Sequence, residues 1–216
     1  MPEHAEFQLV GGHPALDFVN TVDWRWDPMR RKDLLERFED LVGWARQSEL
    51  VTTAEARALT AAARRDPRSA NRALQRARRL RETIGRIFEA AGRDERPTAR
   101  DLRLLNAFLS AALRRRRIEV RGNRYEWTWT VSGSPSLDAF LSPIVLATGE
   151  LLTSPQRLKI RACADQDCGW LFLDTSRSGR RRWCTMQSCG NRAKARRFYA
   201  RAAASPAAVA VREAAE

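Results

Sequence analysis

All four cysteines of the chain fall in one short stretch, spaced Cys163-x4-Cys168-x15-Cys184-x4-Cys189. Two short gaps joined by a loop of about fifteen residues is how sulfurs on separate turns converge on one tetrahedral ion. Both histidines, His4 and His13, lie far upstream, so the ligand set is all sulfur. Four protein sulfurs close the coordination sphere and leave no position for water. The spacing therefore predicts a structural zinc held by Cys163, Cys168, Cys184 and Cys189. The alternatives are disulfides, a redox pair (which usually has a two-residue gap) and a four-sulfur iron site, rarer at this spacing.

Compartment bears on that choice. The segment MPEHAEFQLVGG has neither the basic n-region nor the apolar h-region of a secretion signal. No apolar run approaches the ~20 residues of a membrane span. Together these predict a cytoplasmic protein with no membrane partner, where thiols stay reduced.

The residues around the cysteines define the module. Trp170-Leu-Phe-Leu-Asp174 and Arg181-Arg-Trp183 read as two short strands about a Ser-Arg-Ser-Gly turn, a hairpin between the cysteine pairs. After Cys189-Gly190, residues 191–204 form an uninterrupted helical run. A knuckle, a hairpin and a helix whose first turn supplies the last ligand describe a treble-clef zinc finger. Few strong apolar residues lie here, so the metal supplies much of the folding energy. A Cys→Ser change is expected to unfold residues 157–201 and spare the rest.

Upstream, helical periodicity dominates. Residues 7–10 read as an edge strand. Pro14 opens a helix through Ala15, Phe18, Val19 and Val22. Residues 25–32 read as a loop, residues 33–47 as a helix, and Thr52 or Thr53 as the cap of the next. A long amphipathic helix ends near Gly92, and another starts at Thr98 and Asp101. Residues 114–117 read as its solvated basic end. Ile118, Val120, Tyr125, Trp127, Trp129 and Val131 alternate about an Arg-Gly-Asn-Arg turn, which signals a β-hairpin. A last helix carries Leu137 to Leu152, interrupted by Pro143. The fold class is thus α+β: a mainly helical domain with a small β-hairpin over residues 1–152, a zinc finger over 153–204, and a flexible tail over 205–216.

Charge is unevenly placed. Residues 157–201 hold 12 of the 39 Lys and Arg but only three of the 26 Asp and Glu, so +9 of the net +13 sits there. Such a field favours a polyanion, most often nucleic acid. At 100° per residue, Arg192 and Arg196 share the cysteine-facing side of the last helix, bracing the knuckle or the upstream domain. Lys194, Arg197 and Arg201 share the far side. These three are the expected nucleic-acid contacts, with Arg180, Arg181 and Arg182 of the hairpin next. Phe198 and Tyr199 fall between the faces and are expected to pack.

The run CGWLFLDTSRSGRRRWCTMQSCGNRAKARR closely resembles the CGNR zinc finger, named for residues standing here as Cys189, Gly190, Asn191 and Arg192. GGHPALDFVNT at 11–21, LRETIGRIFEAAG at 80–92 and DLRLLNAFL at 101–109 resemble its usual companion, the ABATE domain. The two resemblances cover nearly the whole chain. They imply a stress-related bacterial transcription regulator, its finger binding nucleic acid and its upstream domain sensing a ligand.

Three functions compete. The first is a DNA-binding regulator whose helical domain senses a small-molecule effector or forms a homodimer. The second is an RNA-binding or ribosome-associated module. The third is an enzyme built on His13, Asp17 and Asn20, which are also the candidate effector pocket beside Gly11 and Gly12. Capping and local hydrogen bonds account for those three residues equally well. The chain has no nucleophile–base pair, phosphate loop or open metal site, so it reads as a non-enzyme.

Overall fold

The computed structural model describes residues 7–129 and 137–203. The chain opens with helix α1 (Pro14–Val19), with Pro14 in its first turn, and Ala15, Leu16, Phe18 and Val19 buried. A two-residue bridge, β1 (Val22–Asp23) with β2 (Lys32–Asp33), closes the following loop. Then come α2 (Phe38–Gln47), α3 (Thr53–Arg65), α4 (Pro67–Gly92) and α5 (Ala99–Leu113). Local chemistry sets their starts. Thr52 and Glu55 form a reciprocal capping box for α3, and Thr98 accepts the Asp101 N–H to cap α5.

Helix α4 is the spine. Ala73, Leu74, Ala77, Leu80, Ile84, Ile87 and Phe88 form its buried stripe, set against Phe18, Trp44, Leu105 and Ile144 in one core. Arg81 lies inside that core, 1% exposed. Its guanidinium grips Asp33 with two 2.7 Å bonds and also reaches Thr21. A bidentate partner is what makes a buried guanidinium tolerable. Burial acts to raise Asp33, but Arg81 outweighs it and holds the carboxyl below its usual range.

Hairpin β3 (Arg116–Arg121) and β4 (Arg124–Trp129) follows, then α6 (Ser142–Thr153). Pro143 sits in the first turn of α6, where a missing N–H costs nothing. The finger begins with β5 (Ile160–Ala162) antiparallel to β6 (Leu171–Leu173) and ends in α7 (Asn191–Ala203). Ile160, Leu171 and Leu173 belong to the same core as α4. The fold is mainly helical with small hairpins, as the periodicity implied.

Several local expectations are corrected. Residues 7–10 form no strand; Phe7 is instead held by Gln47, which both accepts from and donates to its backbone. Residues 33–37 are not helical, because Asp33 pairs across β1–β2 and its carboxylate accepts the Leu35 N–H. Val22 belongs to β1 and not to α1, and Pro143 opens α6 and does not interrupt it. Arg116 and Arg117 open β3, so only Arg114 and Arg115 close α5. The Trp170–Asp174 segment pairs with β5, upstream of the first cysteine, and residues 181–183 form no strand. Val131, Ala204 and the tail 205–216 lie outside the described residues. Among those described, no helix is long and apolar enough to cross a membrane.

Candidate metal centre and basic helix

Strands β5 and β6 deliver the first two sulfurs from the turn between them. The Cys163 N–H donates to the Trp170 carbonyl at 2.8 Å and the Cys168 N–H to the Asp165 carbonyl. Gly169 follows at φ +71°, a left-handed conformation that glycine adopts without strain. The other two sulfurs come from a second turn. Thr185 caps it by accepting the Ser188 N–H, and one wide helical turn (Met186–Gly190) carries Cys189 directly into α7.

The four sulfurs lie within 4.8 Å of one another and all four cysteines are buried. Two neighbouring pairs stand at 3.4 and 3.7 Å. A tetrahedral zinc with bonds of about 2.3 Å sets its sulfurs roughly 3.8 Å apart. Hydrogen bonds from the other thiols hold Cys163 well below the usual thiol range, while the same contacts push Cys168 well above it. Four sulfurs this close can all be thiolates only around a cation. Donor set, spacing and burial fit zinc, and with four protein ligands it is a structural ion.

Around the cage lies a bridge to the helical domain that spacing could not reveal. Asn20, 3% exposed, donates from Nδ2 to the Leu171 carbonyl and accepts the Leu171 N–H at Oδ1, both at 2.9 Å. It completes β6 as a missing strand neighbour would. Trp170 Nε1 donates to the Val22 carbonyl, the Leu173 N–H to the Gly11 carbonyl, and the Arg25 N–H to the Cys168 carbonyl.

Arg192 closes the bridge from the other side. It donates to Cys189 Sγ at 2.8 Å and to Asp165 at 3.0 Å. Its guanidinium also lies 4.3 Å from the centre of the Trp24 ring. Arg30 approaches the same indole at 3.8 Å and donates to Asp167. Arg196 donates to the other oxygen of Asp165 at 2.7 Å. Asp165 is fully buried. Burial acts to raise its carboxyl, but hydrogen bonds from Arg196 and Arg192 win and hold it below the usual range.

Lys194, Arg197 and Arg201 are exposed on α7. Among the described residues no carboxylate pairs with any of them, whereas Arg192 and Arg196 are both ion-paired. Phe198 and Tyr199 are also exposed, edge to face with each other at 5.7 Å, and do not join the core as expected. In the loop before Cys184, Arg180 and Arg182 are exposed but Arg181 is not free. Its N–H groups donate to the Trp183, Val10 and Cys184 carbonyls, and its guanidinium covers the Phe172 ring. That removes Arg181 from the expected contact set.

The proposed pocket residues are likewise engaged. His13 caps α1, its Nδ1 accepting the Ala15 N–H at 3.3 Å. Burial lowers its pKa against the pull of Glu150, which favours the neutral, accepting ring. Asp17 accepts the Gly11 N–H at 2.7 Å, and Asn20 holds Leu171. None of the three lines any of the five cavities described in the molecule.

Comparison with known families finds two matches. Residues 12–155 match the ABATE family, described as "Putative stress-induced transcription regulator". Residues 159–202 match the CGNR zinc finger. No curated protein matches the chain.

Proposed function

Because the chain belongs to the ABATE family and carries a CGNR zinc finger, we propose that it is a cytoplasmic transcription regulator that binds duplex DNA through the outer face of α7. The observation that carries this is the division of cations on one helix. Arg192 and Arg196 are ion-paired with Asp165 and Asp167, while Lys194, Arg197 and Arg201 point to solvent with no acidic partner among the described residues. An external polyanion is the natural counter-charge, and a helix of this width fits the major groove.

Replacing Lys194, Arg197 and Arg201 together with Ala tests the assignment. Each phosphate contact contributes about −0.9 to the slope of log K against log salt, so the triple variant should flatten that slope by roughly 2 to 3. Zinc content and folding should not change. Unchanged affinity and slope would remove α7 as the contact surface.

RNA is the second reading, favoured by Phe198 and Tyr199 standing exposed beside the cations, where unstacked bases can lie on aromatic rings. A competition between duplex DNA and structured RNA for the same protein separates the two. For a small-molecule effector, support shifts from residues 11–20 to a cavity of about 600 Å³ between α3, α4 and the end of α5. Arg65, Arg72, Arg76 and Arg115 line it together with Asp66 and Asp138, the latter paired with Arg76, a lining of net positive charge that suits an anionic compound. Thermal shifts with a panel of organic phosphates and carboxylates test it.

A further inference from the structure

The β3–β4 hairpin carries a surface that neither the metal centre nor α7 uses. Its register sets Arg116 opposite Trp129, Ile118 opposite Trp127 and Val120 opposite Tyr125. Side chains alternate along a strand, so these six share one face. Arg116 confirms it by lying over both indoles, 4.3 Å from Trp127 and 5.9 Å from Trp129. The opposite face holds Arg117, Glu119, Arg121, Arg124, Glu126 and Thr128. A strand pair this amphipathic is patterned to bury one side.

The outer two-thirds of that side is uncovered, while Trp129 at the base is half-buried against the helical core. Tyr125 is 82% exposed, Val120 64%, Trp127 61% and Ile118 58%. No third strand joins the hairpin among the described residues, and an isolated two-stranded ribbon is marginal in water. With aromatics contributing about 150–250 Å² each when buried, the patch amounts to roughly 500 Å². That is at the upper end of what monomers expose.

We infer that this face is where a second copy of the chain docks, forming a homodimer through stacked hairpins. Two such faces together bury about 1,000 Å², the lower bound for a specific interface. A two-fold axis between the faces, at right angles to the strands, keeps the two helical bodies at opposite ends. It sets Ile118 against Ile118 and Trp127 against Trp127, with Tyr125 at the tip of one copy over Trp129 at the base of the other. Such a contact is self-complementary and closed.

Other occupants fit less well. Outside the described residues, the chain's segments offer no apolar side chain larger than Met1, Val131, Val209 and Val211 to cover Trp127 and Tyr125. A nucleic acid would need cations beside the aromatics. Arg116 alone shares their face; the other hairpin arginines lie behind it among two glutamates. The inference does not depend on the nucleic-acid assignment of α7.

Analytical ultracentrifugation of the zinc-loaded full chain across a dilution series tests it. The mass should approach twice 24.6 kDa on concentration. Trp127→Glu should weaken association by about 100-fold, as loss of a buried aromatic anchor does. Its monomer should stay folded, with an unchanged circular dichroism spectrum and zinc content, because Trp127 lies outside the core. Ile118→Cys should cross-link to its own copy through a short bis-maleimide that spans the roughly 10 Å between stacked sheets, whereas Glu119→Cys on the reverse face should not. A monomer at every concentration, equal cross-linking at both positions, or a Trp127→Glu variant that still dimerises would overturn the proposal. So would a monomeric wild type whose oligonucleotide affinity falls with Trp127→Glu, which would make the face a base-stacking platform.

Discussion

Asp17 shows how one side chain ties the fold to pH. It accepts the Gly11 N–H from inside the first turn of α1, where burial pushes its carboxyl up to about 6 against the lowering effect of that bond. The folded state therefore holds a proton that the unfolded chain, with an ordinary aspartate near 3.8, releases. Stability from this group is fully present below about pH 4 and is lost as pH rises through about 6. Asp17→Asn keeps an acceptor but cannot titrate. Wild type should therefore gain stability relative to Asp17→Asn on moving from pH 7 to pH 5, read as the difference between their urea midpoints. A difference that stays flat with pH would mean the carboxylate is not desolvated. Asn20, three residues on, fixes a strand of another module, a role its neighbours in sequence could not announce.

Within elements, the division between what was legible and what was not follows contact distance along the chain. Thr52 with Glu55, Thr98 with Asp101, Pro14 and the four cysteines act within a few residues or by fixed spacing, so the sequence carries their roles openly. The pairing of β6 does not work that way. Leu171–Leu173 alternates equally well against residues 181–183 or against Ile160–Ala162, and what decides is Ile160 sinking beside Leu171 and Leu173 into the α4 core. The clamp from Asn20 adds to that choice. Arg181 looked like its exposed neighbours because its partners are backbone carbonyls, which no residue type encodes. The knuckle between β5 and β6 offers a direct check at Gly169. A Cβ there would lie 2.6 Å from Arg25 Cβ, at φ +71°. Gly169→Ala should cost about 1–3 kcal/mol from the backbone conformation alone, before the clash. Denaturant unfolding measures it, and a loss below a few tenths would mean that the knuckle accepts a side chain without backbone strain.

For the whole molecule, zinc acts beyond the finger. Structural zinc in finger peptides contributes roughly 10–16 kcal/mol, as much as an entire domain's net stability of about 5–15 kcal/mol. Chelation should therefore unfold residues 157–201. It should also loosen the helical domain, which was expected to be spared, because Ile160, Leu171 and Leu173 would leave its core. Hydrogen exchange reads this directly: amides of α1 and α4 should lose protection when zinc is stripped, and full protection would mean the two parts are separable. The Trp24 indole, held between Arg30 and Arg192, carries a last consequence, for inheritance and engineering. A graft of this finger onto a foreign carrier would leave Arg192 without its aromatic seat and Leu171 without Asn20. Recombination that keeps the pair working must move the loop of residues 20–30 together with the finger, so the heritable unit is the two parts joined.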